Sequence, residues 1–215
     1  MEEREQEKGS SSQNVNISIS LFRERGTYIE IILSDSSSFF ILHDDVSDLN
    51  HYPGDFANEE TVARLAAFDR ICRACNKALD LLSFSPSTAF MMKQKLMQKG
   101  FDSISAGTAV SRLLEKHILD DKKYAENWVA SRLSRNPESP LVLKASLLKK
   151  GVDRKTADEI LKGITPDSDQ YIEAFEKAFN KQLRSPGKSA EKIRISLSRK
   201  GFPLSLINKY LDNKT

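Results

Sequence analysis

Cationic side chains are the residues of this chain best placed to do chemistry. Arg132, Arg135, Lys144, Lys149 and Lys150 form one group, and Lys181, Arg184, Lys188, Lys192, Arg194, Arg199 and Lys200 form another. Apolar neighbours at helical spacing fix the inward face around each group, so most of these cations point outward. Two readings stand: a groove that follows phosphates or acidic protein, or a plain solvated face. Other constellations carry less. Cys72-Arg73-Ala74-Cys75 has redox spacing, but it lies inside a helical pattern rather than at a helix N-terminus after a strand. It lacks a second pair for zinc, and His43, His51 and His117 are scattered. Buried small residues are the expectation there. Asp120-Asp121 sits where a helix begins and reads as a cap. Tyr124 and Trp128, one turn apart, read first as core; a base-stacking platform would need exposure and interleaved arginines. No phosphate-loop, dinucleotide, zinc-protease or serine-hydrolase motif occurs, so no enzyme activity, metal or cofactor is expected.

The elements that position these cations are marked by a phrase written three times. Leu96 to Phe101, Leu147 to Val152 and Leu197 to Phe202 each read Leu, any, any, base, Gly, apolar, with the glycines 51 and 50 residues apart. Glycine after a helix adopts the left-handed conformation without a Cβ clash, and a cation there faces the negative end of the helix dipole. The phrase therefore predicts a helix C-terminus, and three copies predict three similar helical units. Such a stack is elongated, because each unit contacts only its neighbours. Ser85-Pro86 and Thr165-Pro166-Asp167 are expected to open helices, with Asn58, Asp102 or Ser103, Asp120 and Asp153 as further caps, and Asn136-Pro137-Glu138-Ser139-Pro140 is expected to break the chain before a helix over Leu141 to Lys150. Ser185-Pro186-Gly187 is expected to break one.

Before residue 57 the period changes. Val15, Ile17, Ile19 and Leu21 alternate with polar residues, which predicts a half-buried strand. Tyr28–Leu33 and Phe39–Leu42 predict two more, with turns at Arg25-Gly26 and Ser34–Ser37. A small antiparallel meander results, covered on one face by the helix that follows. The expected organisation is a disordered polar tail over 1–14, a β-rich region over 15–56, and three-helix repeats over 57–118, 119–164 and 165–215. The formal net charge of +3 hides a division. Residues 1–60 carry 4 basic and 13 acidic side chains, whereas residues 61–215 carry 29 and 17. An acidic start with no apolar segment, and two cysteines, point to the cytoplasm.

Ile118-Leu119-Asp120-Asp121-Lys122-Lys123-Tyr124-Ala125-Glu126-Asn127-Trp128-Val129 resembles the most recognisable segment of the RecX family of bacterial regulatory proteins. Arg132-Leu133-Ser134-Arg135 and Leu147 to Val152 continue the likeness, which covers roughly 60–212. One departure is Asn136-Pro137-Glu138-Ser139-Pro140, where family members often carry a Gly-rich basic joint. The resemblance implies tandem three-helix units and a non-enzymatic modulator of the RecA recombinase, in homologous recombination and the SOS response. Such a protein binds the RecA–DNA filament and restrains its extension, ATP hydrolysis and strand exchange. The implied partners are that filament and single- or double-stranded DNA reached through phosphates, with no membrane and a monomeric state. The residues expected to make these contacts are Arg132, Arg135, Lys149, Lys150, Arg194, Arg199 and Lys200. The alternative is a tandem-helix DNA-binding protein that acts without the recombinase.

Overall fold

The strands and helices follow from where the apolar period changes from two to near four. A computed structural model of the chain describes residues 16–185 and 188–213. The expected tail over 1–14, Val15 of the expected first strand, and Pro186 and Gly187 of the expected break, lie outside them. The chain packs as two compact units that divide after Asn76, within one long helix.

In the first unit, β1 (Ile19–Arg25), β2 (Tyr28–Leu33) and β3 (Ser38–Leu42) form an antiparallel sheet in the order β1-β2-β3. Arg25 pairs with Tyr28 across a two-residue turn led by Gly26 at φ 73°. Glycine at that turn position matches the twist of the strands. Asp35 closes the second turn by accepting from the Ser37 amide at 2.9 Å and hydroxyl at 2.6 Å. These bonds favour the carboxylate, so the Asp35 pKa falls below the usual range. Helix α1 (His43–Leu49) follows, then α2 (Glu59–Phe84), capped by Asn58 through the Thr61 amide. Ile19, Ile31, Leu33, Ile41, Leu49 and Leu65 are buried together, with Val62 and Phe68 packed against them. The sheet is thus covered by α1 and the start of α2.

One strand-level expectation fails here, and one helix appears that none predicted. The alternation from Val15 puts Leu21 inside, but the first strand begins at Ile19 and the register slips between Ile19 and Leu21. One extra residue flips the side-chain alternation. Leu21 is therefore 44% exposed, and Phe22 turns to the core instead. Helix α1, only seven residues long and opening on Asp44-Asp45, was not expected.

The second unit holds α3 (Ala89–Gln98), α4 (Ser103–Glu115), α5 (Asp121–Arg135), α6 (Pro140–Lys149) and α7 (Arg154–Leu161). It continues with α8 (Asp169–Leu183), α9 (Ala190–Arg199) and α10 (Leu204–Asp212). Asp102, Asp120 and Asp153 cap as expected, and Ser139, expected within a break, caps α6 with Pro140 in its first turn. Two expected caps are displaced. Thr88 opens α3 in place of Ser85, and Ser168 opens α8 in place of the Thr165 cluster. In both, the hydroxyl nearest the first buried turn reaches the free amides, and the earlier Pro sits in the approach. The fold is thus a run of three-helix repeats preceded by a small antiparallel meander.

All three phrase copies close their helices in one way. The amides of Phe101, Val152 and Phe202 donate to Leu96, Leu147 and Leu197 at 3.2, 3.1 and 3.2 Å. Gly100, Gly151 and Gly201 have φ of 94°, 85° and 82° and donate three residues back. This double closure satisfies carbonyls that a helix end leaves unpaired. The second and third copies also form joints. The Thr88 hydroxyl donates to the Lys150 carbonyl, and the Ser139 amide donates to the Lys200 carbonyl at 2.9 Å. Each joint seats a helix end on the helix start one repeat earlier. A Cβ at Gly151 would lie 2.2 Å from Phe90 Cβ, and one at Gly201 2.2 Å from Ser139 Oγ, whereas Gly100 has open space.

Candidate anion-binding groove

Helices α5 and α6 set the site. Val129 is buried on α5 and Leu143 and Leu147 on α6, which leaves Trp128 and Arg132 of α5 beside the end of α6. Trp128 is partly buried, and it packs against the core with part of its ring. The Arg132 guanidinium lies 5.2 Å from the Trp128 ring centre and the Lys150 ammonium 5.5 Å. Lys150 is also 6.0 Å from the Tyr124 ring. The negative face of an aromatic ring attracts cations at such distances. Met91, Trp128, Arg132, Ser146, Lys149 and Lys150 line one groove of about 410 Å³. Its wall holds three cations, a hydroxyl, a thioether and an indole, and no carboxylate. Glu138 Oε2 lies 3.8 Å from Arg132 Nε, and Glu138 is not among the lining residues.

The remaining expected residues lie elsewhere and differ in kind. Arg135 is exposed at the end of α5, and its carbonyl accepts from Lys181 at 3.4 Å. Arg199 is exposed in the last turn of α9. Lys200 is partly buried and donates to Asn136 Oδ1 at 2.7 Å and to the Pro137 carbonyl at 3.1 Å. Burial pushes its pKa below the ordinary lysine range, Glu138 pulls it up, and Lys181 and Arg132 push it down. Arg194 Nε donates to Asn208 at 2.8 Å. Lys144 ion-pairs with Asp158 at the equivalent place one repeat earlier. In both, a cation on the second helix clips the third helix 14 residues on. Lys93 occupies the same place in α3, where Gly107 offers no acceptor. That spacing is written in the sequence and could have been found there. Nothing comparable announces Met91 and Ser146, which reach the groove by folding alone.

The cysteines are inert in this geometry. Both are buried within α2, and neither is in a disulfide. Burial, then Cys75 and Asp69, push the Cys72 thiol up to about 11. Asp120 caps its own helix through the Lys123 amide, and Asp121 accepts from the Ala89 amide of α3 at 2.8 Å. Among the described residues no acidic, His and Cys group could hold a metal, and no helix is long and apolar enough to cross a membrane.

Known proteins share the fold and part of the sequence. Family models for the first and second three-helix domains of RecX match residues 74–113 and 120–161. The Regulatory protein RecX of Chlorobaculum tepidum is 34% identical over 140 residues, 63% of this chain and 84% of that protein. That of Leuconostoc mesenteroides is 27% identical over 199 residues, 90% of this chain and 73% of that one. A crystal structure of regulatory protein RecX, 22% identical, superposes with a TM-score of 0.73 over 91% of this chain and 99% of its own. That likeness shows the fold, and the sequence relatives show the descent: this chain belongs to the RecX family of regulatory proteins.

Proposed function

We propose that the chain binds the RecA–DNA nucleoprotein filament and restrains its extension, its ATP hydrolysis and strand exchange, acting in the cytoplasm as a monomer without metal or cofactor. One observation carries this reading beyond the family's regulatory role. Arg132, Lys149 and Lys150, chosen on sequence, converge on one groove with no acidic residue in its wall. A surface of that sign suits a polyanion, whether DNA phosphate or an acidic protein face. Exposed Arg135 and Arg199 extend the basic character, whereas Lys200 and Arg194 serve their own joints and clips. The repeats 57–118, 119–164 and 165–215 then share the work unequally, with the middle one making the main contact and 15–56 a separate module.

Cosedimentation with recombinase filaments on single-stranded DNA tests this. The chain is expected in the filament fraction at low salt, and Lys149→Glu with Lys150→Glu should leave it in the supernatant. Absence of the unmodified chain from the pellet would sink the reading.

A further inference from the structure

We propose that the groove beside Trp128 holds one nucleotide of a single-stranded nucleic acid, its phosphate on Lys149, Lys150 and Arg132 and its base against Trp128 and Met91. This deepens the reading above, because it says what part of a polyanion the basic surface takes.

The cations alone would fit any anion, so the wall decides. Trp128 offers a flat π surface, and Arg132 and Lys150 are drawn to it at 5.2 and 5.5 Å. The ring thereby holds both cations in place before a ligand arrives, which lowers the ordering cost of binding. A guanidinium held at a ring can itself stack a base. Met91 forms the other apolar part of the wall, with its sulfur 4.0 Å from the Tyr124 hydroxyl. A thioether is soft and adaptable, so it accepts purines and pyrimidines alike. Ser146 supplies a hydroxyl donor for a phosphate oxygen.

Size and access set the strand preference. At about 410 Å³ the groove lies near the lower end of ligand sites. It has room for one nucleotide. In a duplex the bases are stacked inward and cannot reach an indole without being flipped out. A run of acidic peptide could satisfy Lys149 and Lys150, but it would leave the indole and thioether with nothing flat to cover. Base–aromatic stacking is indifferent to base identity, so little sequence preference is expected.

Trp128 is the single tryptophan of the chain, so its fluorescence reports this groove directly. The full chain is titrated at low salt with oligo-deoxythymidylate, a duplex of equal length, an oligo-glutamate peptide and inorganic phosphate. Oligo-deoxythymidylate is expected to quench Trp128 and to shield it from iodide, and the other three to do so at least about tenfold more weakly. Lys149→Glu, an exposed change, should weaken the effect about tenfold or more with the native far-ultraviolet circular dichroism retained. Equal quenching by the duplex or the peptide, or none by the single strand, would overturn the proposal. Trp128 unmoved by the oligonucleotide while the chain still pellets with filaments would end this inference and leave the filament reading standing. Quenching without pelleting would do the reverse.

Discussion

Two aromatic pairs sit one turn apart on equivalent helices and meet opposite ends. On α8, Phe175 and Phe179 are fully buried and stack at 5.8 Å. Phe175 also meets Phe202 edge-on at 5.2 Å and Tyr210 at 4.9 Å. On α5, Tyr124 and Trp128 stay partly exposed and face cations. The same spacing yields a core in one repeat and a charged groove in the other. What differs is the cover. Phe202 and Tyr210 close over the α8 pair, whereas the end of α6 brings Lys149 and Lys150 to the α5 pair. The aromatic spacing fixes a helix face; residues more than 20 positions away decide what that face becomes.

The largest test of this contrast is truncation. Phe175→Ala should cost about 3–5 kcal/mol of unfolding free energy. Trp128→Ala should cost less, about 1–3 kcal/mol, because it loses a partly buried ring and its cation–π contacts, while removing most single-strand binding. Denaturant unfolding of the two variants measures both, and equal costs would erase the distinction.

The joints come next. Gly201→Ala and Gly151→Ala combine left-handed strain of about 1–2 kcal/mol with a clash worth about 1–3 more. Gly100→Ala, with open space beside it, should show only the strain. Thermal midpoints should therefore rank the Gly100 variant above the other two.

Alkaline pH should weaken the α8 core selectively. Burial raises the Tyr171 pKa above 10.0, and a hydrogen bond to Glu176 raises that of Tyr210. A raised folded pKa means stability that is present below 10 and lost as pH rises past it. Tyr171→Phe should flatten the fall in midpoint above pH 10. A Cys72→Ala background removes the thiol that titrates in the same range. The smallest effect is a gain. Gly107→Asp should supply Lys93 with the clip that Asp158 gives Lys144, adding roughly 0.5–1 kcal/mol from helix propensity and the pair. No change in midpoint would argue that the clip contributes nothing.

Much of this was readable in advance, for local reasons. The three phrase copies close their helices as Leu-x-x-base-Gly-apolar requires, because every bond in that closure spans at most five residues. Asp102, Asp120 and Asp153 cap because they directly precede the first helical turn. The displaced caps at Thr88 and Ser168 show the limit: a proline nearby misplaces the start by three residues. The cations were harder. Whether Lys200 faces solvent depends on Asn136 and Pro137, more than 60 residues earlier. Nothing in its own neighbourhood distinguishes it from exposed Lys99. Arg132, Lys149 and Lys150 were legible as part of a cationic group, but not as the members that share a groove, since Trp128 and the packing of α5 on α6 bring them together.

The joints also set a clock on synthesis. The Thr88 hydroxyl must wait for a carbonyl 62 residues later in the chain. At ribosomal speeds of about 5–20 residues per second, that is a delay of roughly 3–12 s. Each helix start thus emerges before its seat-mate exists, and each repeat, once made, completes the one before it. The nascent chain is stabilised backward, one joint per repeat, and a stall just short of Gly151 would leave the Thr88 end of α3 without its closing contact.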